Sequence, residues 1–206
     1  MRNLFQSALA ILLLVTAVRA QEPEFFPAYF DVVGVAENDV LNLRAGPGAA
    51  YPVVGRLMPD ARNIPVVDQS PDGKWALLRH GEGIAWASLK YLSRRPGQDG
   101  YRLPASLDCA GGEPFWGLQI SENMAVFDDI EGQSVKLDRL WDGKAIGWQP
   151  YKYGLRLEGD QSAIHAVINR GQCDDGMSDY VYGFSIEAIL SGDLGDALLV
   201  GCCALP

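Results

Sequence analysis

The sequence predicts an all-β chain with two barrel-like modules, the second of which is held together by disulfides. Short segments alternate between apolar and polar residues, and clusters of Gly, Pro, Asn and Asp separate them at close intervals. No stretch carries a 3.6-residue apolar period over three turns, and the best helix candidate, 186–190, is short. All four cysteines lie in the C-terminal half, so only that module can be stapled by disulfides.

The first residues have the pattern of an export signal. Arg2 precedes an apolar run at 8–18, which ends in Val18-Arg19-Ala20 with a small residue at the last position. This pattern is typical of a secretory signal peptide over 1–20, with cleavage after Ala20. The run is shorter than the roughly 20 apolar residues of a spanning helix. We therefore expect a periplasmic or secreted protein without stable membrane insertion.

The charge balance narrows the possible partners. The chain has 17 Lys and Arg against 26 Asp and Glu, a formal net charge of −9. Removal of Arg2 and Arg19 with the signal leaves 15 against 26, or −11. An acidic surface repels phosphate backbones, so nucleic acid is not an expected partner. A basic protein partner is compatible with this charge.

The N-terminal module is predicted as a series of short strands that follows an arm at 21–29. Clear turn sequences interrupt the series at Asn38-Asp39, Gly46-Pro47-Gly48, Met58-Pro59-Asp60, Ser70-Pro71-Asp72-Gly73 and Glu82-Gly83. The strands lie between these turns, at 30–35, 40–44, 51–57, 63–67, 74–78 and 84–87. Short strands with frequent turns predict a small closed β-barrel over 30–94.

Three motifs in this module share their order with a known family. They are Leu41-Asn42-Leu43-Arg44-Ala45-Gly46-Pro47-Gly48, then Lys74-Trp75, then Trp86 followed by Tyr91-Leu92. Together they resemble bacterial SH3 domains, over about 30–94. Two positions depart from the family pattern, because Ala85 stands in place of a Gly and Ala76 in place of a Tyr.

The SH3 resemblance implies a binding module that engages peptidoglycan or a periplasmic protein. The candidate ligand-binding residues in it are Tyr51, Trp75 and Tyr91, while Trp86 is expected to be mostly structural. Tyr51 or Tyr91 is expected to be more exposed than Trp86. We expect Asn42 and Arg44 to brace the turn that follows them.

A polar break with Pro and Gly at 94–100 indicates a linker, assigned to 95–106, before a second module at 107–206. Alternating segments in that module predict strands, at 116–120, 124–127, 135–140, 153–157, 163–168 and 180–186. The turn Glu122-Asn123 predicts a hairpin between the first two. The pattern favours an antiparallel sheet that is closed, or nearly closed, into a barrel.

The cysteines of the second module predict two disulfides, because an exported chain meets an oxidising compartment. A bridge between the adjacent Cys202 and Cys203 would strain the intervening peptide. We therefore expect Cys109 to pair with one of them and Cys173 with the other. On a strand the two adjacent side chains point to opposite faces, which lets each reach a different partner. A metal or redox site is the alternative, although the Cys-x-x-Cys spacing is missing.

Three local sequences give the second module a further resemblance. They are Cys109-Ala110-Gly111-Gly112-Glu113-Pro114-Phe115-Trp116, Cys173-Asp174-Asp175-Gly176-Met177-Ser178-Asp179 and Gly201-Cys202-Cys203. They resemble an uncharacterised bacterial envelope domain family with Glu-Pro-Phe-Trp and Asp-Gly-Met-Ser-Asp boxes, over about 107–204. That family occurs alone or beside lipocalin-like META-type modules and lysozyme-inhibitor-type barrels. The resemblance implies a lipocalin-like or META-like barrel and brings no established activity with it.

The charged residues of these boxes have alternative interpretations. Glu113 could cap backbone amides, pair with Arg156 or Arg170, or contact a ligand. Asp174, Asp175 and Asp179 offer oxygen ligands to a hard cation, but they do not follow the spacing of a helix–loop–helix calcium site. Otherwise they form a tight loop in which Asp side chains accept hydrogen bonds from nearby amides. Met177 is expected to fill a gap at the barrel mouth.

Signs of catalysis are sparse. His80, predicted in a loop, and His165, predicted in a strand, are the only histidines, and no nucleophile elbow, phosphate loop or zinc pair is present. We expect a non-catalytic exported binding protein without a cofactor. The alternative is a lysozyme-inhibitor-like or small-ligand-binding barrel. A third hypothesis is a cell-wall hydrolase that uses Glu113 with an Asp of 174–179 as an acid/base pair.

Overall fold

The computed structural model describes residues 25–147, 149 and 151–206. The predicted signal peptide at 1–20 lies outside these residues. The described chain is all-β, as predicted, with one short 3₁₀ turn at Leu89–Tyr91. None of the helical structure in it has the length and apolar character of a membrane span.

The N-terminal strands form one antiparallel sheet. They are β1 (Ala28–Val32), β2 (Leu41–Arg44), β3 (Val53–Leu57), β4 (Ile64–Gln69), β5 (Trp75–His80), β6 (Gly83–Ser88) and β7 (Leu92–Arg94). Their order in the sheet is β3-β2-β6-β5-β4-β1-β7. A closed barrel was predicted for this module, and the structure corrects that prediction. The end strands of the sheet, β3 and β7, are not hydrogen-bonded neighbours within the described residues. The three-residue β7 pairs with β1, which leaves its other side without a strand in this sheet.

The first strand begins earlier than predicted, inside the arm assigned to 21–29. β1 alternates between buried and half-buried positions, and its inward residues Ala28, Phe30 and Val32 are at most 3% exposed. It pairs with β4 on one side and β7 on the other. The sheet therefore needs these residues for its core, although the Pro and Phe residues that surround them obscure the alternation.

The C-terminal strands form a closed barrel of eight strands, as predicted. They are β8 (Leu107–Gly112), β9 (Phe115–Ile120), β10 (Met124–Asp129), β11 (Ser134–Lys144), β12 (Lys152–Glu158), β13 (Ser162–Cys173), β14 (Tyr182–Gly192) and β15 (Ala197–Ala204). Each strand pairs with the next along the chain, and β15 pairs with β8 to close the ring.

One local prediction in this half was wrong. The helix candidate 186–190 is part of β14, because Ile186, Ala188 and Leu190 point inward and are at most 4% exposed. A period of two residues therefore fits this segment better than a helical period.

Inward side chains fill the barrel. The largest fully buried side chains in it are those of Leu107, Leu118, Leu137, Tyr153, Leu157, Ile164, Ile168, Phe184 and Ile186. An eight-stranded barrel is just wide enough to be filled by side chains of this size. Its interior is therefore a packed core.

The two disulfides confirm the predicted use of the adjacent cysteines. Cys109 bonds to Cys203, and Cys173 bonds to Cys202. Cys109 and Cys203 lie opposite each other across the β8–β15 pair, and their side chains are part of the barrel core. Because Cys202 is the residue immediately before Cys203 on the same strand, it points to the opposite, outer face and reaches Cys173 past β14. One bridge thus closes the barrel seam from inside, and the other joins β13 to β15 from outside.

Candidate binding surface

The turn between β2 and β3 presents an exposed tyrosine on a braced backbone. Arg44 Nη1 donates a hydrogen bond of 2.8 Å to the carbonyl oxygen of Tyr51, which confirms that Arg44 braces this turn. A Cβ on Gly46 would lie 2.4 Å from the Tyr51 ring, so the ring packs directly against this glycine. The Tyr51 side chain is nevertheless 48% exposed. It is therefore an aromatic group held in place and accessible to a ligand.

Apolar exposure continues from Tyr51 into β3. Val53 is 52% exposed and Val54 is 46% exposed. β3 is the end strand of its sheet, so one of its edges has no strand beside it in that sheet. We call Tyr51, Val53 and Val54 the β3 surface. An exposed strand edge with apolar side chains is a common site of protein or peptide association.

His80 lies beside this strand rather than in a loop. It is the last residue of β5, and its Nε2 is 3.2 Å from the carbonyl oxygen of Val54. A Cβ on Gly55 would lie 2.4 Å from the same nitrogen. The His80 ring therefore packs on the backbone of β3 and supports it from one side.

The other aromatic candidates differ from Tyr51 in their surroundings. Trp75 is half-buried at the start of β5, and the half-buried Trp86 lies opposite Arg44 across β2 and β6. Tyr91 packs partly against the core of the sheet and accepts a backbone bond of 2.9 Å from Val33. The structure thus places Trp86 and Tyr51 on either side of one arginine. Tyr91 lies elsewhere, beside Val33. Of the two tyrosines, Tyr51 has the more exposed side chain.

The barrel contacts the N-terminal sheet through the segment just before β14. Arg79 of β5 lies over two rings, with its Cζ 4.4 Å from the centroid of Tyr180 and 5.0 Å from that of Tyr182. The Tyr180 hydroxyl donates to the Gly81 carbonyl at 2.5 Å. Gln172 Nε2 also donates to a carboxylate oxygen of Asp68, at 2.5 Å. These contacts hold one side of the N-terminal sheet against the barrel.

The aspartate box forms the tight loop that ends at these tyrosines. Asp175 Oδ1 accepts hydrogen bonds from the amides of Met177, at 3.0 Å, and Ser178, at 2.9 Å. Its Oδ2 accepts one of 3.1 Å from the Tyr182 hydroxyl. The bonds from the Ser178 and Met177 amides are the main reason that the pKa of Asp175 falls to about 2. Burial, followed by the bond to Asp175, raises the pKa of Tyr182.

The loop therefore has a structural explanation that does not involve metal. Asp174 Oδ1 accepts a 2.7 Å bond from the Gly176 amide, and Asp179 lies next to the β5–β6 turn near Gly83. Among the described residues, no group of three or more His, Cys, Asp or Glu is arranged to hold a metal ion. Two alternatives were predicted for this box, a metal site and a tight loop closed by Asp–amide hydrogen bonds. The structure shows the tight loop.

The N-terminal arm and the linker are fastened to one end of the barrel by Arg170. Its Nη1 donates to the Pro27 carbonyl at 2.6 Å, and its Nε donates to the Tyr153 hydroxyl at 2.9 Å. The guanidinium also lies 4.9 Å from the ring centroids of Phe25 and Phe184. The Tyr153 hydroxyl in turn donates to the backbone of the linker, and burial raises the pKa of this phenol.

Glu113 does not form either of its predicted ion pairs. It is exposed in the turn between β8 and β9, whereas Arg170 is engaged as described above and Arg156 lies 3.4 Å from Glu158. Two residues further on, Phe115 is 50% exposed and Trp116 is 6% exposed. These two aromatics occupy opposite faces of β9.

The three boxes of the second module meet around Trp116. A Cβ on Gly111 would lie 2.1 Å from the indole Nε1, and one on Gly201 would lie 2.8 Å from Cζ2. Outside the barrel, Met177 packs over Gly112, whose Cβ would lie 2.4 Å from its Sδ. Met177 is 59% exposed, so the prediction that it fills the barrel mouth was wrong. Two of the glycines thus make room for the Trp116 ring.

Two shallow cavities could not have been predicted from the sequence. One, of about 350 Å³, is lined by residues of all three boxes, including Gly112, Asp174 and Cys202. The other, of about 430 Å³, lies between the arm, the linker and the barrel, beside the stacked rings of Tyr101 and Tyr151. Both cavities bring together residues that are far apart in the chain. Nothing in the sequence around Tyr101 or Tyr151 indicates that the two rings stack beside a cavity.

A comparison with protein-family models identifies the first module. The model for the bacterial SH3 domain matches residues 39–93. The N-terminal half of the chain therefore contains a bacterial SH3 domain, as its motifs predicted. No curated protein and no solved structure matches the chain. The resemblance of 107–204 to an envelope domain family stays a prediction.

Proposed function

We propose that this protein is an exported, non-catalytic binding protein whose SH3 module attaches it to peptidoglycan or to a protein of the cell envelope. The observation that carries the proposal is the bacterial SH3 domain at 39–93, since such a domain suggests a cell-wall or protein-binding module. The two disulfides are compatible with an extracytoplasmic protein. The export signal predicted at 1–20 supports the same compartment.

The β3 surface is the part of the SH3 module that we assign to the ligand. The barrel contacts the module on the side of Arg79 and Asp68, whereas Tyr51, Val53 and Val54 are each about half exposed. Tyr51 is held by Gly46 and by the backbone that Arg44 braces. An aromatic ring that is already fixed loses little conformational entropy on binding, which favours affinity.

The barrel offers less support to the alternative functions. Its interior is filled by its own side chains, which does not favour a ligand inside it. The hydrolase hypothesis needs Glu113 and an aspartate of the box as an acid/base pair. Asp175 instead has both carboxylate oxygens in hydrogen bonds to its own loop and to Tyr182, and Glu113 is exposed in a turn.

Co-sedimentation of the full mature chain with purified sacculi tests the proposal for peptidoglycan. We expect the wild type to be retained and Tyr51→Ala to lower the bound fraction at limiting protein by about tenfold, as for a central aromatic contact. Ile130→Ala is the matched control, because Ile130 is 69% exposed in the barrel and far along the chain from the SH3 module. Equal retention of Tyr51→Ala and wild type would contradict the role of the β3 surface.

A photo-crosslinking residue at position 51 separates the two kinds of partner. The experiment is done in cells that export the protein. A crosslinked product whose apparent mass falls on digestion with lysozyme identifies glycan as the partner, and a product that remains a discrete band of unchanged mass identifies a protein. The same residue at position 130 is the control. If neither product forms at position 51 and sacculi do not retain the wild type at low salt, the proposed function is wrong.

A further inference from the structure

Part of the outer barrel wall is apolar where an antiparallel sheet ordinarily presents polar residues to water. Val167, Ile189, Leu198 and Val200 are 39%, 59%, 64% and 65% exposed. They lie on three adjacent strands, β13, β14 and β15, and Ile189 is directly opposite Leu198. Strands with apolar residues on both faces are typical of sheets that are covered on both sides.

Trp141 extends the patch toward β11. Its side chain is 53% exposed, and its ring packs over two glycines, whose Cβ atoms would lie 2.7 Å (Gly143) and 2.8 Å (Gly154) from ring atoms. Cross-strand pairing places Trp141 in one row with Ile189 and Leu198. Arg156 of β12 and His165 of β13, both exposed, lie between Trp141 and Ile189 in this row. We call Trp141, Val167, Ile189, Leu198 and Val200 the outer-wall patch. Exposed apolar patches of this kind mark interaction sites.

Two opposite charges flank the centre of the patch. Arg156 lies on β12, opposite His165 of β13. Glu187 lies on β14, opposite Val167 of β13. The two charges are therefore on either side of β13 and are offset along it by one outward-facing position. Both are exposed. Arg156 also lies 3.4 Å from Glu158 of its own strand, in an exposed ion pair that leaves the guanidinium accessible to a second carboxylate.

We propose that the outer-wall patch binds a second copy of this chain through a two-fold interface centred on β13. In a two-fold interface each surface meets itself, so a surface with one positive and one negative flank is complementary to its own copy. Each Arg156 then lies opposite the other copy's Glu187, and the aliphatic side chains pack between the two walls. Homodimer interfaces are more apolar than other protein interfaces, which agrees with the composition of this patch.

The interaction is independent of the proposed binding by the SH3 module. The patch is on the barrel and contains none of the residues assigned to the β3 surface. The SH3 module contacts the barrel at Gln172 and at Tyr180 and Tyr182, near the end of β13 and the start of β14. A dimer formed by the patch would carry two SH3 modules, so weak binding by each could become strong binding by the pair.

Sedimentation equilibrium of the full mature chain, from low micromolar to several hundred micromolar protein, tests the proposal. We expect the mass to rise from one chain to two. Ile189→Lys should weaken dimerisation by about 100-fold or more, because each dimer then buries two charges in apolar contact. Ile130→Lys, on an exposed residue outside the patch, is the matched control and should leave the dimer intact. Circular dichroism and the melting temperature establish that each variant is folded.

Charge reversal tests the two-fold geometry separately. Arg156→Glu and Glu187→Arg should each weaken the dimer by about tenfold, and the double variant should restore it, because it exchanges the charges on both copies. A wild type that stays monomeric at every concentration overturns the proposal and leaves the patch to a different partner. A dimer that Ile189→Lys leaves unchanged, or a double reversal weaker than both single ones, also overturns it.

Discussion

The guanidinium of Arg79 lies over the ring of Tyr180, with 4.4 Å between its Cζ and the ring centroid. Arg79 belongs to the SH3 module and Tyr180 to the barrel, so this contact joins the two halves of the chain. The loop that leads to Tyr180 is the one whose aspartates suggested a metal site. In the structure these aspartates shape the loop, and the loop supports the contact between the modules.

Replacement of Arg79 by Ala should loosen this contact. We expect a loss of about 1 kcal/mol, the usual size of a cation–π interaction at a partly exposed site. The free energy of unfolding in urea measures the loss, and limited proteolysis should cut the linker at 95–106 more rapidly. Arg56→Ala, on the exposed side of β3, is the control. If Arg79→Ala changes neither quantity, Arg79 does not stabilise the contact between the modules.

Asp175 should make the stability of the protein depend on pH in the acid range. Its pKa is lowered from 3.8 to about 2 by the amides of Ser178 and Met177. A folded-state pKa below the unfolded one means that the ionised form stabilises the fold. This contribution is complete above the unfolded pKa and is lost as the pH falls through the folded one. Because the site is near the surface, we expect on the order of 1 kcal/mol.

Urea unfolding of Asp175→Asn and wild type at several pH values measures this contribution. The wild type should be the more stable at pH 7, and the difference should shrink between about pH 4 and pH 2. Asp160→Asn, at an exposed position in the β12–β13 turn, is the control. A difference that does not vary with pH would mean that the ionised Asp175 carboxylate stabilises the loop no better than its protonated form does.

The sequence predicted those features that depend on neighbours along the chain. Alternation and turns were enough for the all-β class, and the position of Cys202 next to Cys203 was enough for the disulfide pattern. Glu113 and Met177 were misplaced because their surroundings come from distant segments. The same is true of the contact between Arg79 and Tyr180, since nothing near either residue in the sequence indicates that the other lies beside it.

Gly46→Ala tests whether the position of Tyr51 matters for binding. The new Cβ would lie 2.4 Å from the Tyr51 ring, so the ring must move away. We expect a cost in stability of about 1–3 kcal/mol, as for other overpacked sites, and weaker retention by sacculi. Tyr51→Phe, which keeps the ring in place, should bind nearly as well as wild type. Unchanged binding by Gly46→Ala would show that a fixed Tyr51 ring is unnecessary.

Removal of the two disulfides should have unequal effects. The Cys109–Cys203 bridge closes a loop of 94 residues and the Cys173–Cys202 bridge one of 29. Loop-closure entropy predicts contributions of about 4.7 and about 3.6 kcal/mol respectively. Both cysteines of the first pair are buried, whereas in the second pair Cys202 is buried and Cys173 only half-buried. The double Cys→Ala variant of the first pair should therefore be clearly the less stable in urea. Equal stability of the two double variants would contradict the role of the first bridge as the barrel seam.

Gly201→Ala tests whether the Gly-Cys-Cys box has a glycine because of local packing or because of a function at the surface. The added Cβ would lie 2.2 Å from the Ala110 carbonyl oxygen and 2.8 Å from Trp116. Because the backbone oxygen cannot move without disturbing the β8–β15 pair, we expect a loss of about 3 kcal/mol in the free energy of unfolding.

Gly117→Ala is the control for this change. Gly117 lies on the same barrel, and a Cβ there would meet nothing within 4 Å, so its stability should remain within about 0.5 kcal/mol of wild type. If Gly201→Ala is equally well tolerated, the packing of Trp116 does not explain why glycine occupies this position. A role for the outer cavity beside Gly201 and Cys202 would then be the better explanation of the Gly-Cys-Cys box.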